Sequence, residues 1–252
     1  MTNQPLESYI KRAKAVREAW VAEVGRSIYD QAIASIDPKK VRVLQKKYRS
    51  ELVDFDPVGI YKYADLPYWI ARNVALAKRL GLDGAAPLRI LDIGMGAGHF
   101  AAVAQGLGHS VTGTDISVPL YNDIAAAFEV DRRIIPVVQG QPYPDVGGPF
   151  DRITIIWQVF DYIRSYPDGS RDYWPVADWI LLLRDLAKNH SAPNAIIHLE
   201  LNLHIQGNDS FYDQDLLDFC AEHGADMTLR DLGIVDLPVA GLLKRKRRAP
   251  AR

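Results

Sequence analysis

The 252-residue chain has one cysteine, Cys220. An internal disulfide needs two, and a cysteine-based zinc site needs several, so both are excluded. Cys220 falls in the apolar pattern of an expected helix, LLDFCAEHG, and reads as a small buried hydrophobe. No hydrophobic run approaches the length of a membrane span, and the N-terminus lacks the apolar core of a secretion signal. A soluble, cytoplasmic protein is therefore expected. Internal repeats and low-complexity tracts are absent too. With 48% hydrophobic residues, the chain can build one large domain, or a core with a cap.

Charge is scarce only in the sum. The net charge of −1 hides an uneven distribution. Residues 1–80 hold 15 Lys/Arg against 9 Asp/Glu, residues 81–243 hold 9 against 22, and residues 244–252 hold 6 against none. An acidic middle between basic ends is not the continuous basic face of a nucleic-acid enzyme.

What the chain does have is centred on residues 88–115, LRILDIGMGAGHFAAVAQGLGHSVTGTD. An apolar run at 88–93 carries Asp92. Gly94, Gly96 and Gly98 follow, then a helix-like segment at 100–107. A second apolar run, 110–114, ends on Asp115. The order is strand, glycine turn, helix, strand, acid, which is the first half of a nucleotide-binding α/β sheet. A dinucleotide fingerprint needs G-x-G-x-x-G. Here the spacing is G-x-G-x-G, and His99 stands where the last glycine belongs. Asp92, just before the turn, would repel a pyrophosphate and suit a cationic amine. Asp115 can accept hydrogen bonds from two ribose hydroxyls. A ligand with a ribose, a positive amino acid end and no phosphate is S-adenosylmethionine.

On these residues the chain resembles the class I, Rossmann-like S-adenosylmethionine-dependent methyltransferases. Asp92-Ile-Gly94-Met-Gly96-Ala-Gly98 is similar to the family's acid-x-Gly-x-Gly-x-Gly motif, and Asp115 to its ribose-binding acid. Residues 149–163, PFDRITIIWQVFDYI, resemble the family's fourth strand and the loop beyond it. The resemblance implies an α/β fold. It would have a mostly parallel seven-stranded sheet, helices on both faces, an antiparallel last strand and an N-terminal helical cap. It also implies a cap or lid over residues 1–85, a core over 86–247 and a basic tail over 248–252. S-adenosylmethionine contacts are implied at Asp92, Gly94, Met95, Gly96, Gly98, Asp115, Ile116 and Trp157. In much of the family an acid near Gln141 binds the adenine amino group, and a glutamine replaces it here. Tyr63, with Lys62 or Arg72, is the implied lid contact to the methionine carboxylate; aromatic packing between cap and sheet is the competing reading.

Beyond the fourth strand the chain departs from the family twice. It lacks the Asn/Asp-Pro-Pro-aromatic motif of exocyclic and amide nitrogen methylation. Tyr162 stands where many members have histidine. Asp161 and Tyr162 are therefore the implied catalytic groups, with Asp161 as base. Glu200 and His204 are alternative bases, and alignment alone is a further alternative. The acceptor so implied is a small molecule methylated on oxygen or nitrogen: a sugar, a lipid-linked intermediate or a secondary metabolite. Tyr166, Tyr173, Trp174 and Trp179 are available to stack on its ring. Methylation of RNA or protein by way of the basic ends is the alternative, as is a non-catalytic binding module. No metal is expected; Glu200, Asn202 and His204 alternate, yet no other ligand cluster exists.

The remaining elements follow from periodicity. An apolar stripe over residues 9–24 predicts a helix to about 35, as a cap, a membrane- or RNA-binding surface, or a dimer contact. Helices are also expected at about 67–80, 117–133, 178–190 and 211–223. Strands are expected at 134–138, 151–157, 195–201, 225–230 and 239–245.

Overall fold

The computed structural model describes residues 15, 18, 19, 21, 22, 25–34, 36–48, 63, 66–207 and 209–244. Most of the expected N-terminal helix, Lys62 and the basic tail lie outside them. The chain forms two compact units. One is drawn from Met1–Leu88 and Met95–Ile134, the other from Arg89–Gly94 and Ile135–Arg252.

The first unit carries helices α1 (Arg26–Ile33), α2 (Pro38–Lys47), α3 (Leu66–Arg79), α4 (His99–Gly106) and α5 (Pro119–Phe128). Its strands are β2 (Ser110–Asp115) and β3 (Asp131–Ile134), paired in parallel. Asp37 caps α2 by accepting the Lys39 N–H at 2.7 Å, and Pro38 opens the helix where a missing N–H costs nothing. Helix α3 is closed by Gly81, whose N–H reaches Lys78 O at 2.9 Å with φ +68°. Lys47 and Tyr48 both hold Asp123 of α5 at 2.5 Å.

The second unit carries strands β1 (Arg89–Ile93), β4 (Phe150–Ile156), β7 (Ser191–Glu200) and β10 (Ile234–Pro238). Their order in the six-stranded sheet is β10-β7-β4-β1-β2-β3. β4 is parallel to β1 and to β7, while β10 runs antiparallel at the edge. The expected α/β sheet with an antiparallel last strand is thus present, with six strands rather than seven among the described residues. The order reverses beside β1, so the switch point, where open α/β sheets place ligands, lies between β1 and β4.

Successive residues of a strand face opposite sides, so register sorts the sheet by chemistry. The rows Leu91–Ile153–Ile197–Leu237 and Ile93–Ile155–Leu199–Val235 are aliphatic and at most 1% exposed. Helices α6 (Val176–Asp185), α7 (Gln214–Glu222) and α8 (Val239–Leu243) join them in one core through Trp179, Leu182, Leu216, Cys220 and Leu242. Full burial of each such side chain contributes about 2 kcal/mol. The row between, on the opposite face, is Asp92–Thr154–His198–Asp236. Cys220 is fully buried, and burial pushes its thiol up to about 12.

Several expected elements are corrected. The third strand is Asp131–Ile134, not 134–138: Glu129 closes α5 in the left-handed region at φ 57°, and Pro136 cannot donate to a ladder. Residues 225–230 contribute only the single bridge Asp226–Asp236. The last strand is β10, reached through the left-handed Gly233, and Val239–Leu243 is a helix begun at Pro238. Two hairpins were not expected: β5 (Tyr162–Ser165) with β6 (Arg171–Tyr173), and β8 (His204–Gln206) with β9 (Asp209–Phe211). Among the described residues, no helix is long and apolar enough to cross a membrane.

Candidate functional site

In the first unit the glycine turn is tied to the end of β2. The Gly96 N–H donates to Asp115 Oδ2 at 2.6 Å, the Ile116 N–H donates to Asp115 Oδ1 at 2.6 Å, and Met95 N–H reaches Thr114 O. Burial lifts the Asp115 carboxyl above its usual value, opposed by those two N–H groups and by Arg132. Arg132 donates to Gly96 O, Asn122 Oδ1 and Ile116 O at 3.2, 2.6 and 2.7 Å. It clamps the turn to the loop after β2, and nothing in the spacing of the sequence pointed to it. Gly98, the N-cap of α4, sits at φ +82°, and a Cβ there would lie 2.9 Å from Val130. A Cβ on Gly96, by contrast, meets no atom within 4 Å, so the turn keeps free volume beside its backbone. Met95 is spent on packing: it is 7% exposed and lies against Gly113 and Gly98. Ile116 is 56% exposed and offers an apolar face.

Tyr63 stacks on Trp69 at 5.7 Å and meets Tyr121 edge-on at 5.1 Å. Its carbonyl accepts from His99 Nε2 at 3.0 Å. Burial lowers the His99 pKa to about 4, so the ring is neutral and donates. Arg72 lies over the Trp69 ring, and burial lowers its pKa to about 10.

In the second unit Asp92 is 2% exposed and accepts the Thr154 hydroxyl at 2.8 Å. Farther along the same face, His198 Nδ1 stands 2.9 Å from Asp236, and its Nε2 3.4 Å from Glu200. Burial pushes the Asp236 carboxyl up; the hydrogen bond and charge of His198, with Arg152, outweigh it and leave the carboxyl below its usual range. Gly94 is held at φ +70°, and Gln158 Nε2 donates to its carbonyl at 2.8 Å. Asn202 in turn holds Gln158 O at 2.7 Å. Trp157 is bulky yet sits at φ 48°, its N–H bonded to Glu200 O at 2.7 Å, and the residue is 40% exposed. Such a backbone conformation costs about 1–3 kcal/mol and concentrates at ligand sites.

A cleft of about 480 Å³ opens here, lined by Trp157, Gln158, Asp161, Tyr162, Arg171 and Tyr173 among others. Asp161, 6% exposed, bonds His204 Nε2 at 3.2 Å. The His204 ring stacks on Tyr173 at 3.7 Å and 6°. The sequence named both Asp161 and His204 but not their pairing, because the β8–β9 hairpin that carries His204 was unforeseen. Tyr162 lines the cleft beneath the Arg171 guanidinium, 5.5 Å from its ring. Trp174 and Trp179 are buried with Phe160 rather than free to stack on a ligand. Tyr166 turns to Asp172 at the hairpin tip. Gln141 is exposed in a turn, its N–H on Val138 O at 3.2 Å.

No family model matches the chain, and no curated protein matches it. Among solved structures it is similar to the S-adenosylmethionine-bound amino pentose methyltransferase CalS10 of Micromonospora echinaspora. That likeness is 15% identical, covers 68% of this chain and 91% of that one, and has a TM-score of 0.47. A ribosomal protein L11 methylase of Lactobacillus delbrueckii subsp. bulgaricus is 22% identical over 67% and 78% of the two chains, with a TM-score of 0.39. Streptomyces venezuelae DesVI is 15% identical over 59% and 58%, with a TM-score of 0.40.

Proposed function

We propose that the protein is an S-adenosylmethionine-dependent methyltransferase of a small-molecule acceptor. The observation that carries this reading is the bond from the Gly96 N–H to Asp115. It fixes a carboxylate at the end of the second strand beside a turn with open space at Gly96. The donor set fits the cofactor. Within the first unit, Asp115 retains lone pairs for ribose hydroxyls and Ile116 offers a face to the base; within the second, Asp92 and the Gly94 backbone suit an ammonium group. Gly96 and Gly98 let backbone approach the ligand. Tyr63, Met95, Trp157 and Gln141 complete the proposed contacts, Met95 through its backbone.

Bound there, S-adenosylmethionine would supply an activated methyl carbon on a sulfonium that leaves with the bond's electron pair. The chain's own part is alignment and proton handling. Asp161 faces the cleft and His204 stands behind it, so the pair holds the proton that a hydroxyl acceptor loses. Tyr162, on the cleft wall, orients the acceptor. Calorimetric titration tests the cofactor reading. Wild type is expected to bind S-adenosylmethionine at micromolar Kd and not to bind NADH. Asp92→Ala and Asp115→Ala should each lose at least about tenfold, since one buried charge-assisted bond is worth about 1.5–3 kcal/mol. Folded, cofactor-free protein that gives no heat with S-adenosylmethionine would overturn it.

A further inference from the structure

The cleft also carries information about its occupant. Its volume of about 480 Å³ suits a small molecule. Its walls carry flat rings and apolar side chains: Trp157, Tyr162 and Tyr173 supply rings, and Val159 and Leu203, 64% and 49% exposed, add apolar surface. A sugar needs many hydrogen-bond partners, and the two amide NH2 groups of the lining are already engaged. Gln158 Nε2 is on Gly94 O and Ile156 O, and Asn202 Nδ2 is on Gln158 O.

Two charged residues line the cleft, Asp161 and Arg171. Asp161 is occupied by His204. Arg171 has no carboxylate partner among the described residues; its contact is the Tyr162 ring, and the adjacent Asp172 holds Tyr166 Oη. A guanidinium resting on a ring keeps its N–H fork for a planar anion.

We propose that the acceptor is a flat, apolar-bodied hydroxy compound bearing a carboxylate, the carboxylate on Arg171 and the hydroxyl at Asp161–His204. This rests on the methyl-transfer reading for its hydroxyl end, while the charge preference of the cleft stands on Arg171 alone.

Three probes share a ring and differ in charge: 4-hydroxyphenylacetate, 4-ethylphenol and tyramine. Quenching of tryptophan fluorescence reports their binding to the whole chain, without cofactor. The expected order is anion, neutral, cation, with about tenfold between the first two. R171Q should bring the anion down to the affinity of the neutral phenol, and R171K should restore part of the difference. Tyramine binding as tightly as the anion, a preference that survives R171Q, or no binding of any probe would each overturn the proposal. S-adenosylmethionine is titrated in parallel on wild type. Binding of the cofactor without anion preference sinks the acceptor assignment alone. Anion preference without cofactor binding sinks the methyl-transfer reading and leaves the Arg171 site standing.

Discussion

At Gly94 two separate demands fall on one residue. Its φ of +70° is one that side chains tolerate poorly, and a Cβ would lie 1.8 Å from Gln158 Oε1. Gly94→Ala is therefore expected to destabilise the fold by about 2–4 kcal/mol, read from urea unfolding. In a Gln158→Ala background, where the clash is gone, Gly94→Ala should cost only about 1 kcal/mol, from the backbone. A cost in that background as large as in wild type would show that the clash is not the cause. The sequence announced this glycine through its neighbours, because a strand, a turn and a helix in close succession leave few alternatives. It could not announce Gln158 or Thr154. Each lies about sixty residues from its partner and is brought there only by the pairing of β4 with β1.

Helix α4 begins at a residue that a dinucleotide-binding protein would make glycine. His99 instead holds Tyr63 O, lies 5.6 Å from the Trp69 ring of α3 and 5.5 Å from Phe128 of α5, and so joins three helices. Its folded pKa of about 4 lies below the ordinary 6.5. The stability it contributes is complete above pH 6.5, declines as the pH falls and is gone below about pH 4. The integral of that shift is about 3 kcal/mol. Unfolding by urea between pH 7 and pH 4 should show this loss in wild type and a flatter profile in His99→Gln. Parallel profiles would contradict the assignment. Elements with long periodic patterns were legible at this scale: β1, β2, β4 and helices α3, α4 and α7 fall within a few residues of expectation. The polar strand β3, with the sequence DRRI, was not, because it is short and carries no alternation to read. The two hairpins failed for a related reason. Their strands are short and largely exposed, so no buried face imposes a pattern.

Across the molecule, composition predicted an ordinary core and the sheet shows where it lies: on one face of the β1–β4–β7–β10 strands, under α6, α7 and α8. The other face carries a polar row that hydropathy alone would not assign, since Asp92, Thr154, His198 and Asp236 become neighbours only through register. The solitary thiol belongs to the aliphatic side. Cys220 is fully exposure-free and its ionisation is pushed to about 12, so the native chain presents no thiolate near neutral pH. Reaction with a thiol reagent should therefore run at the rate at which α7 opens, and rise in step with urea. Modification as fast as that of a free thiol in the native protein would refute this. The practical consequence is a chain that is already fit for site-directed labelling. A cysteine placed at Val159, in the lining of the cleft, would be the one that takes up dye in the folded state, while the native thiol keeps time for unfolding.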